Sequence, residues 1–298
     1  MNALVLSGGS IKGAFQAGAL EVVLNGGFKP DIIYGISVGS LNGALISNEA
    51  GKTPALVNFP QIGKMLVDFW KNNIKKPADI ARKRTATELG KALLLGKFNG
   101  LIDTDALGEL LRRTVSMQFL RKSPLIFRVG AVNMFDGTIV YKDNQDPDFI
   151  DYIQASTAIP IMMPLSVIKG QPYYDGGVRD IAPLKQVIEA GADKIVVILC
   201  QSEKLTGGTF ETGKLGLLAE RLMEIIANEI VNNDIERMSY VNKQIDAGLG
   251  GTKRKIDFKL IRPEKEIKLK IDEFNEIDIM KLINDGRAAA NKAKDWRN

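Results

Sequence analysis

The chain contains no histidine in its 298 residues. That absence removes the usual base of serine and cysteine hydrolases, since imidazole is the side chain that changes charge nearest neutral pH. It also removes the commonest metal ligand. With a single cysteine, Cys200, a zinc site would have to be nearly all carboxylate, so neither a metal nor another cofactor is expected. Cys200 has no intrachain partner and closes the apolar run KIVVILC, where a buried structural thiol is expected. No apolar run approaches the ~18 residues of a membrane span. The opening MNALVLSGG has neither the basic start nor the small-residue cleavage site of a secretory leader. A reducing cytoplasm is the expected compartment. Aromatic residues are only 7% of the chain and are sparse between Lys71 and Lys97, where basic residues concentrate. Nucleic acid is therefore not an expected partner; that segment reads either as solvated surface or as a contact for anionic lipid.

What is present is ordinary globular composition, 45% hydrophobic and 25% charged with a net charge of +5. ALVLSGG (3–9) reads as a buried strand entering a tight turn, IKGAFQAGALEVVLNGG as a helix stopped by glycines, PDIIYGIS as a second strand and GSLNGALISNEA as a second helix. This alternation predicts a parallel sheet with helical crossovers. Residues 54–116 read as a helical insertion or cap. PLIFRVGAVNM and GTIVYKD read as a hairpin joined at Asp136-Gly137, FIDYIQASTAIP as a helix closed by Pro160, and PYYDGGVRD as strand, turn, strand. Another helix and buried strand follow at LKQVIEAGA and DKIVVILC. A loop is expected over 205–216, a long helix from Leu215 toward Ile245, a late strand at KIDFKLIRP and a terminal helix over 277–295. A single domain over 1–298 is expected, with 205–298 completing it.

Three short stretches carry chemistry. YGISVGSLNG places Ser37 in G-x-S-x-G between Gly35 and Gly39, at the junction of a strand and a helix, which is the context of a nucleophile elbow; the bland alternative is a helix N-cap. SGGSIKG, where the first strand meets the first helix, can aim several backbone N–H groups at one spot, as an oxyanion hole requires. A plain tight turn is the alternative, and neither nucleotide-loop spacing is satisfied. Lys12 in that loop is expected to be exposed or structural. With histidine excluded, the base of Ser37 must be Asp, Glu, Lys or the terminal amine. Asp175 in YYDGGVRD stands out, because Gly176 and Gly177 let the backbone bring its carboxylate close to another segment. Asp-Gly is also a hairpin signal, and Asp136-Gly137 has that appearance.

In order, GGSIKG (8–13), GISVG (35–39) and DGG (175–177) resemble the patatin-like phospholipases, as does ASTAIPIMMP (155–164). The similarity runs from about Ala3 to Cys200. It implies a three-layer α/β/α sandwich with a mainly parallel sheet, and a lipid or acyl-ester substrate cleaved without metal through an acyl-serine. On the matching positions, Ser37 would be the nucleophile and Asp175 its direct base. Gly8, Gly9 and Ser10 would lie on the oxyanion loop, Ser10 standing where the family usually has glycine. Lys12 would take the family's basic position, and Gly13, Gly35, Gly39, Gly176 and Gly177 would support the turns. Phe69, Trp70, Leu93, Leu94 and Leu95, with neighbouring lysines, would form an apolar, basic approach for lipid and contact an anionic membrane surface. Rival readings are an acyltransferase using the same acyl-serine and a non-catalytic scaffold binding lipid or protein.

Overall fold

The central strands are apolar at nearly every position, the pattern of strands buried on both faces. The computed structural model describes residues 1–207 and 215–293. In it β1 (Asn2–Leu6), β2 (Ile32–Gly35), β9 (Lys194–Ile198) and β10 (Asp257–Ile261) pair in parallel in the order β10-β9-β1-β2. β5 (Ile126–Asn133) adds to β2, also in parallel. Alternate residues point to opposite faces. Leu4, Leu6, Ile33 and Phe127 therefore join one core with α1 (Gly13–Asn25), α2 (Val38–Lys52), α3 (Phe59–Asn73), α7 (Phe149–Ser156) and α10 (Glu276–Lys292). Ala3, Val5, Ile32 and Tyr34 join the other with α8 (Leu184–Glu189) and α9 (Leu215–Asp246). The layers are α/β/α.

The sheet turns mixed at β5, and this positions the site. β6 (Ile139–Asp143) runs antiparallel along one edge of β5, the hairpin expected from the sequence; Asp136 only closes its turn, accepting from the Thr138 N–H at 2.9 Å. On the opposite edge, β2 occupies Ile126 to Val129 and the antiparallel β8 (Gln171–Asp175) occupies Ala131 to Asn133. The ends of β2 and β8 thus meet head to head against one strand, with Gly35 across from Val129 and Asp175 across from Ala131. β7 (Ser166–Ile168) closes that side of the sheet.

The segment expected as an insertion or cap divides in two. α3 starts at the Asn58 N-cap, whose side chain accepts from the Gln61 N–H at 3.1 Å, and it packs directly on α1 in the helical layer. Phe69 and Trp70 are consequently buried, which corrects the expectation that they form an exposed approach for lipid. A bulky apolar pair at helical spacing serves the core first. The remainder forms an arm of β3 (Arg82–Lys83), α4 (Ala86–Leu94) and β4 (Ile102–Asp103), and there Leu93, Leu94 and Leu95 are exposed. α5 (Asp105–Thr114) and α6 (Met117–Lys122) lead on to β5. A second correction falls after Asp175, where Gly176–Val178 turn as a short 3-10 helix instead of starting a strand. The Asp175 carboxylate accepts from the Gly177 N–H and caps that turn. Of the loop expected over 205–216, residues 208–214 lie outside the described residues, as do 294 and 295 of the expected terminal helix.

Candidate active site

Ser37 sits between the end of β2 and the start of α2 with φ 54°, in the left-handed region that a non-glycine residue adopts only under constraint. The constraint comes from all sides. Its N–H donates to Ser156 Oγ at 2.9 Å, its carbonyl accepts from the Ser40 N–H and hydroxyl, and the Gly39 N–H donates to Ile36 O at 2.8 Å. Gly39 lies so close to β1 that a Cβ there would stand 2.2 Å from Leu6 O, and one on Gly35 would stand 2.5 Å from Gly39 O. The tight strand-to-helix turn is therefore pressed against the end of β1.

Asp175 reaches the same point from β8. Its backbone N–H donates to Ala158 O at 2.9 Å, its carboxylate accepts from the Gly177 N–H at 2.8 Å, and Ser37 is near enough to favour the ionised carboxylate. Ser37 and Asp175 are each only 4% exposed. Burial pushes the Asp175 carboxyl up to about 7, with Ser37 and the Gly177 N–H partly offsetting it. A carboxylate poised there is a competent proton acceptor at neutral pH.

The 8–10 loop passes over this pair. The Gly8 N–H already donates to Ile181 O at 3.2 Å, which removes it from the three donors expected of the loop. The N–H groups of Gly9 and Ser10 have no acceptor among the described residues and open the short helix Ser10–Lys12. Both residues border the same chamber as Ser37 and Asp175. Ser10 has φ 54°, and its buried hydroxyl has no partner among the described residues. The left-handed backbone gives the physical reason why glycine suits the position. Cys200 is buried under the loop as expected, its thiol pushed up to about 12 by burial. Gly13 packs against Val38 and Trp70, and Gly176 against Gly130 O.

Lys12 is buried, not exposed, and its ammonium meets Glu224 Oε1 of α9 at 2.9 Å. α9 covers the chamber with Glu220, Met223, Glu224 and Ala227, while Leu269 and Ile271 close it from the segment after β10. Burial, then the nearby Asp272 and Glu224 carboxylates, push Glu220 up to about 7. None of these residues was singled out by motif, although Glu220, Met223, Glu224 and Ala227 share one helical face at i, i+3, i+4 and i+7, a signal available in the sequence. Beneath the loop, Trp70 Nε1 donates to Asn42 Oδ1, Asn42 Nδ2 donates to Gln16 Oε1, and Gln16 Nε2 donates to Ser7 O at 2.7 Å. The elbow, α1 and the end of β1 are thereby joined in one buried network.

The chamber, of about 110 Å3, meets a narrow slot of about 40 Å3 at Ser37. Apart from Ser10, Ser37 and Thr157, the slot is lined by apolar side chains, among them Leu41, Trp70, Ile159, Met163 and Ile271. A larger open cleft between the segment after β10 and α10 contains neither Ser37 nor Asp175. Among the described residues, no group of three His, Cys, Asp or Glu side chains is arranged to hold a metal ion, and no helix is long and apolar enough to cross a membrane.

The site thus brings a strained serine and a buried aspartate together on an α/β/α scaffold, under a loop in which the Gly9 and Ser10 N–H groups have no acceptor among the described residues. Residues 4–188 match the patatin-like phospholipase family, and the chain belongs to that family. It is 29% identical over 204 residues to the uncharacterized protein YjjU of Escherichia coli (strain K12), covering 66% of this chain and 51% of that protein. It is 24% identical over 195 residues to lysophospholipase NTE1 of Coccidioides immitis (strain RS), covering 65% of this chain and 11% of NTE1. The matched region thus spans about half of the one relative and a tenth of the other. Among solved structures, VipD from Legionella pneumophila aligns with 98% of this chain and 66% of its own, at 13% identity and a TM-score of 0.46.

Proposed function

We propose that the protein is a lipid acyl hydrolase in which Ser37 attacks the ester carbonyl and Asp175 accepts its proton directly. The N–H groups of Gly9 and Ser10 hold the oxyanion of the tetrahedral intermediate, fixed donors that cost no reorganisation at the moment charge develops. When the intermediate collapses, the C–O bond to the alcohol breaks and Asp175 returns the proton to the leaving oxygen. Asp175 then takes a proton from water, the hydroxide attacks the acyl-serine, and the proton passes to Ser37 Oγ as the fatty acid leaves. The observation that carries this reading is the placement of the strained Ser37 and the buried Asp175 on one chamber, the carboxyl pushed up to about 7 by burial.

The apolar slot supports a hydrocarbon as the acyl part, placed so that its carbonyl lies at Ser37. The test is release of p-nitrophenol from acyl esters of increasing length, alongside covalent labelling by a fluorophosphonate. Wild type is expected to turn over and to label, and Ser37→Ala to do neither. An inert wild type, or a Ser37→Ala variant that keeps its turnover, overturns the reading. Ile271 borders both chamber and slot, so Ile271→Trp is expected to act on chain length. Turnover of long-chain esters should fall about tenfold to a hundredfold relative to acetyl ester, the scale of losing a few methylene contacts. Equal fluorophosphonate labelling would show the nucleophile intact.

A further inference from the structure

The arm between α3 and α5 ends in large apolar side chains facing solvent. Leu93, Leu94 and Leu95 are 64%, 90% and 59% exposed, with exposed Phe98 beside them in sequence. The helix that carries the leucines is firmly made, since Thr85 and Glu88 form a capping box at its start. Exposed apolar patches of this kind on a well-formed element mark interaction surfaces.

Where the arm is rooted says what the surface serves. The Leu101 N–H donates to Ile161 O at 3.1 Å, the Ile102 N–H to Met162 O at 2.8 Å, and the Leu165 N–H to Asn99 Oδ1 at 3.1 Å. The segment so held includes Met163, whose N–H donates to Ile159 O at 2.9 Å, and both residues line the slot at Ser37. Within it Ile161 is exposed and held at φ 69°, a conformation rare for a β-branched side chain. Gly216, at the start of α9, lies beside Leu101 and Met162. From there Leu218, Leu222, Ile225 and Ile226 form an exposed stripe at i, i+4, i+7 and i+8, on the side of α9 opposite the residues that cover the chamber. Arm, Ile161 segment and α9 thus meet where Leu101, Met162 and Gly216 come together, next in sequence to the slot residue Met163.

The two charges nearest the leucines in sequence are both positive. Lys91 and Lys97 bracket them, both exposed, and neither has an ion-pair partner among the described residues. Arg82 and Lys83, at the root, are by contrast paired with Glu88 and Asp272. Free ammonium groups flanking an exposed apolar run suit the boundary between anionic headgroups and acyl chains, where long side chains reach back to the phosphates.

We propose that the arm tip and the exposed stripe of α9 dock the protein on an anionic lipid bilayer, with Leu93, Leu94, Leu95 and Phe98 entering the headgroup boundary and the slot wall brought to the membrane. The assignment deepens the lipid hydrolase reading, but its readout is binding, which is independent of turnover. The experiment is flotation of the full chain with phosphatidylcholine vesicles, with and without phosphatidylglycerol. Wild type is expected to bind the mixed vesicles and to be released by salt. Leu94→Glu and the double change Lys91→Glu with Lys97→Glu are expected to weaken binding about tenfold or more. Both should leave thermal unfolding, fluorophosphonate labelling and turnover of a soluble short-chain ester unchanged. Failure of wild type to bind either vesicle, or variants that bind as wild type does, overturns the proposal. So does a wild-type dimer that Leu94→Glu dissociates without any vesicle binding, which would assign the surface to a second copy. Vesicle binding by a chain that hydrolyses no ester would sink the hydrolase reading and leave the docking surface standing.

Discussion

Asp175→Asn is expected to abolish ester turnover and, at pH 8, to make the protein more stable. The first half follows from chemistry. An amide has no basicity near neutral pH, so Ser37 loses its proton acceptor, and a loss on the order of 10^4-fold in kcat is expected for a member of a nucleophile–base unit. The second half follows from burial, which raises the wild-type carboxyl to about 7. The unfolded chain releases that proton near the ordinary aspartate value of about 3.9, so between there and pH 7 the native state binds more protons than the unfolded state. Stability from this group is fully present below the lower value and is lost as pH rises to the upper one. The interval corresponds to a few kcal/mol, about 1.4 per unit. The side-chain amide oxygen introduced by the substitution would still accept from the Gly177 N–H, without a charge to bury. Burial also raises Asp180, to about 6, and Glu220, to about 7. Both titrate in wild type and variant alike, so the difference between the two unfolding curves isolates Asp175. That difference should grow from pH 4 to pH 7 and then level off. A stability difference independent of pH, or greater in acid, would contradict a carboxyl held near 7. The same ionisation should govern wild-type kcat/KM, which is expected to fall about tenfold per unit below pH 7.

Gly39→Ala is expected to cost about 3 kcal/mol or more and to remove fluorophosphonate labelling of Ser37. The added methyl would meet Leu6 O at 2.2 Å and Ser7 O at 2.8 Å, both backbone atoms of the strand that leads into the 8–10 loop. A side chain can swing aside, but a strand end bonded to β2 and β9 cannot without opening the sheet. Gly90→Ala is the internal control. That position lies within α4, where a Cβ meets nothing within 4 Å, and the change should stabilise by about 0.5–1 kcal/mol through helix propensity. Thermal unfolding of the two variants, with labelling of each, reads the contrast directly. Equal behaviour would mean that the contact between elbow and strand is not what confines Ser37.

Much of this architecture is legible in the residues because its signals are local. ALVL, IIYG and KIVVI are apolar almost without a break, as strands covered on both faces must be, and G-x-S-x-G marks the junction after the second of them. The long helix from Leu215 is equally plain from its spacing. What the motifs leave out is set by tertiary contact. Lys12 looks like an exposed basic residue until α9 brings Glu224 to it. Phe69 and Trp70 look like an outer approach for lipid until α3 is laid against α1, which buries both and leaves Trp70 on the wall of the slot. Gly8 looks like an oxyanion donor until Ile181, more than a hundred residues away, supplies an acceptor for its N–H. The turn after Asp175 reads as a hairpin because Asp-Gly favours one. It becomes a 3-10 turn because the Asp175 carboxylate bonds the Gly177 N–H.

The head-to-head meeting of β2 and β8 has a consequence for which changes of length the protein tolerates. Gly35 and Asp175 are measured off the same edge of β5, two residues apart, at Val129 and Ala131, so the spacing between the end of β2 and the end of β8 is a fixed rung count of roughly 7 Å. Nothing in that count depends on the chain between Asn133 and Gln171, which can lengthen or shorten at its surface turns without altering it. One residue inserted between Val129 and Ala131 would do what dozens elsewhere would not. It would shift Asp175 a rung from Ser37 and turn its side chain to the other face of the sheet. Length variation among natural variants of this chain should accordingly be crowded into the turns and absent from those three positions of β5.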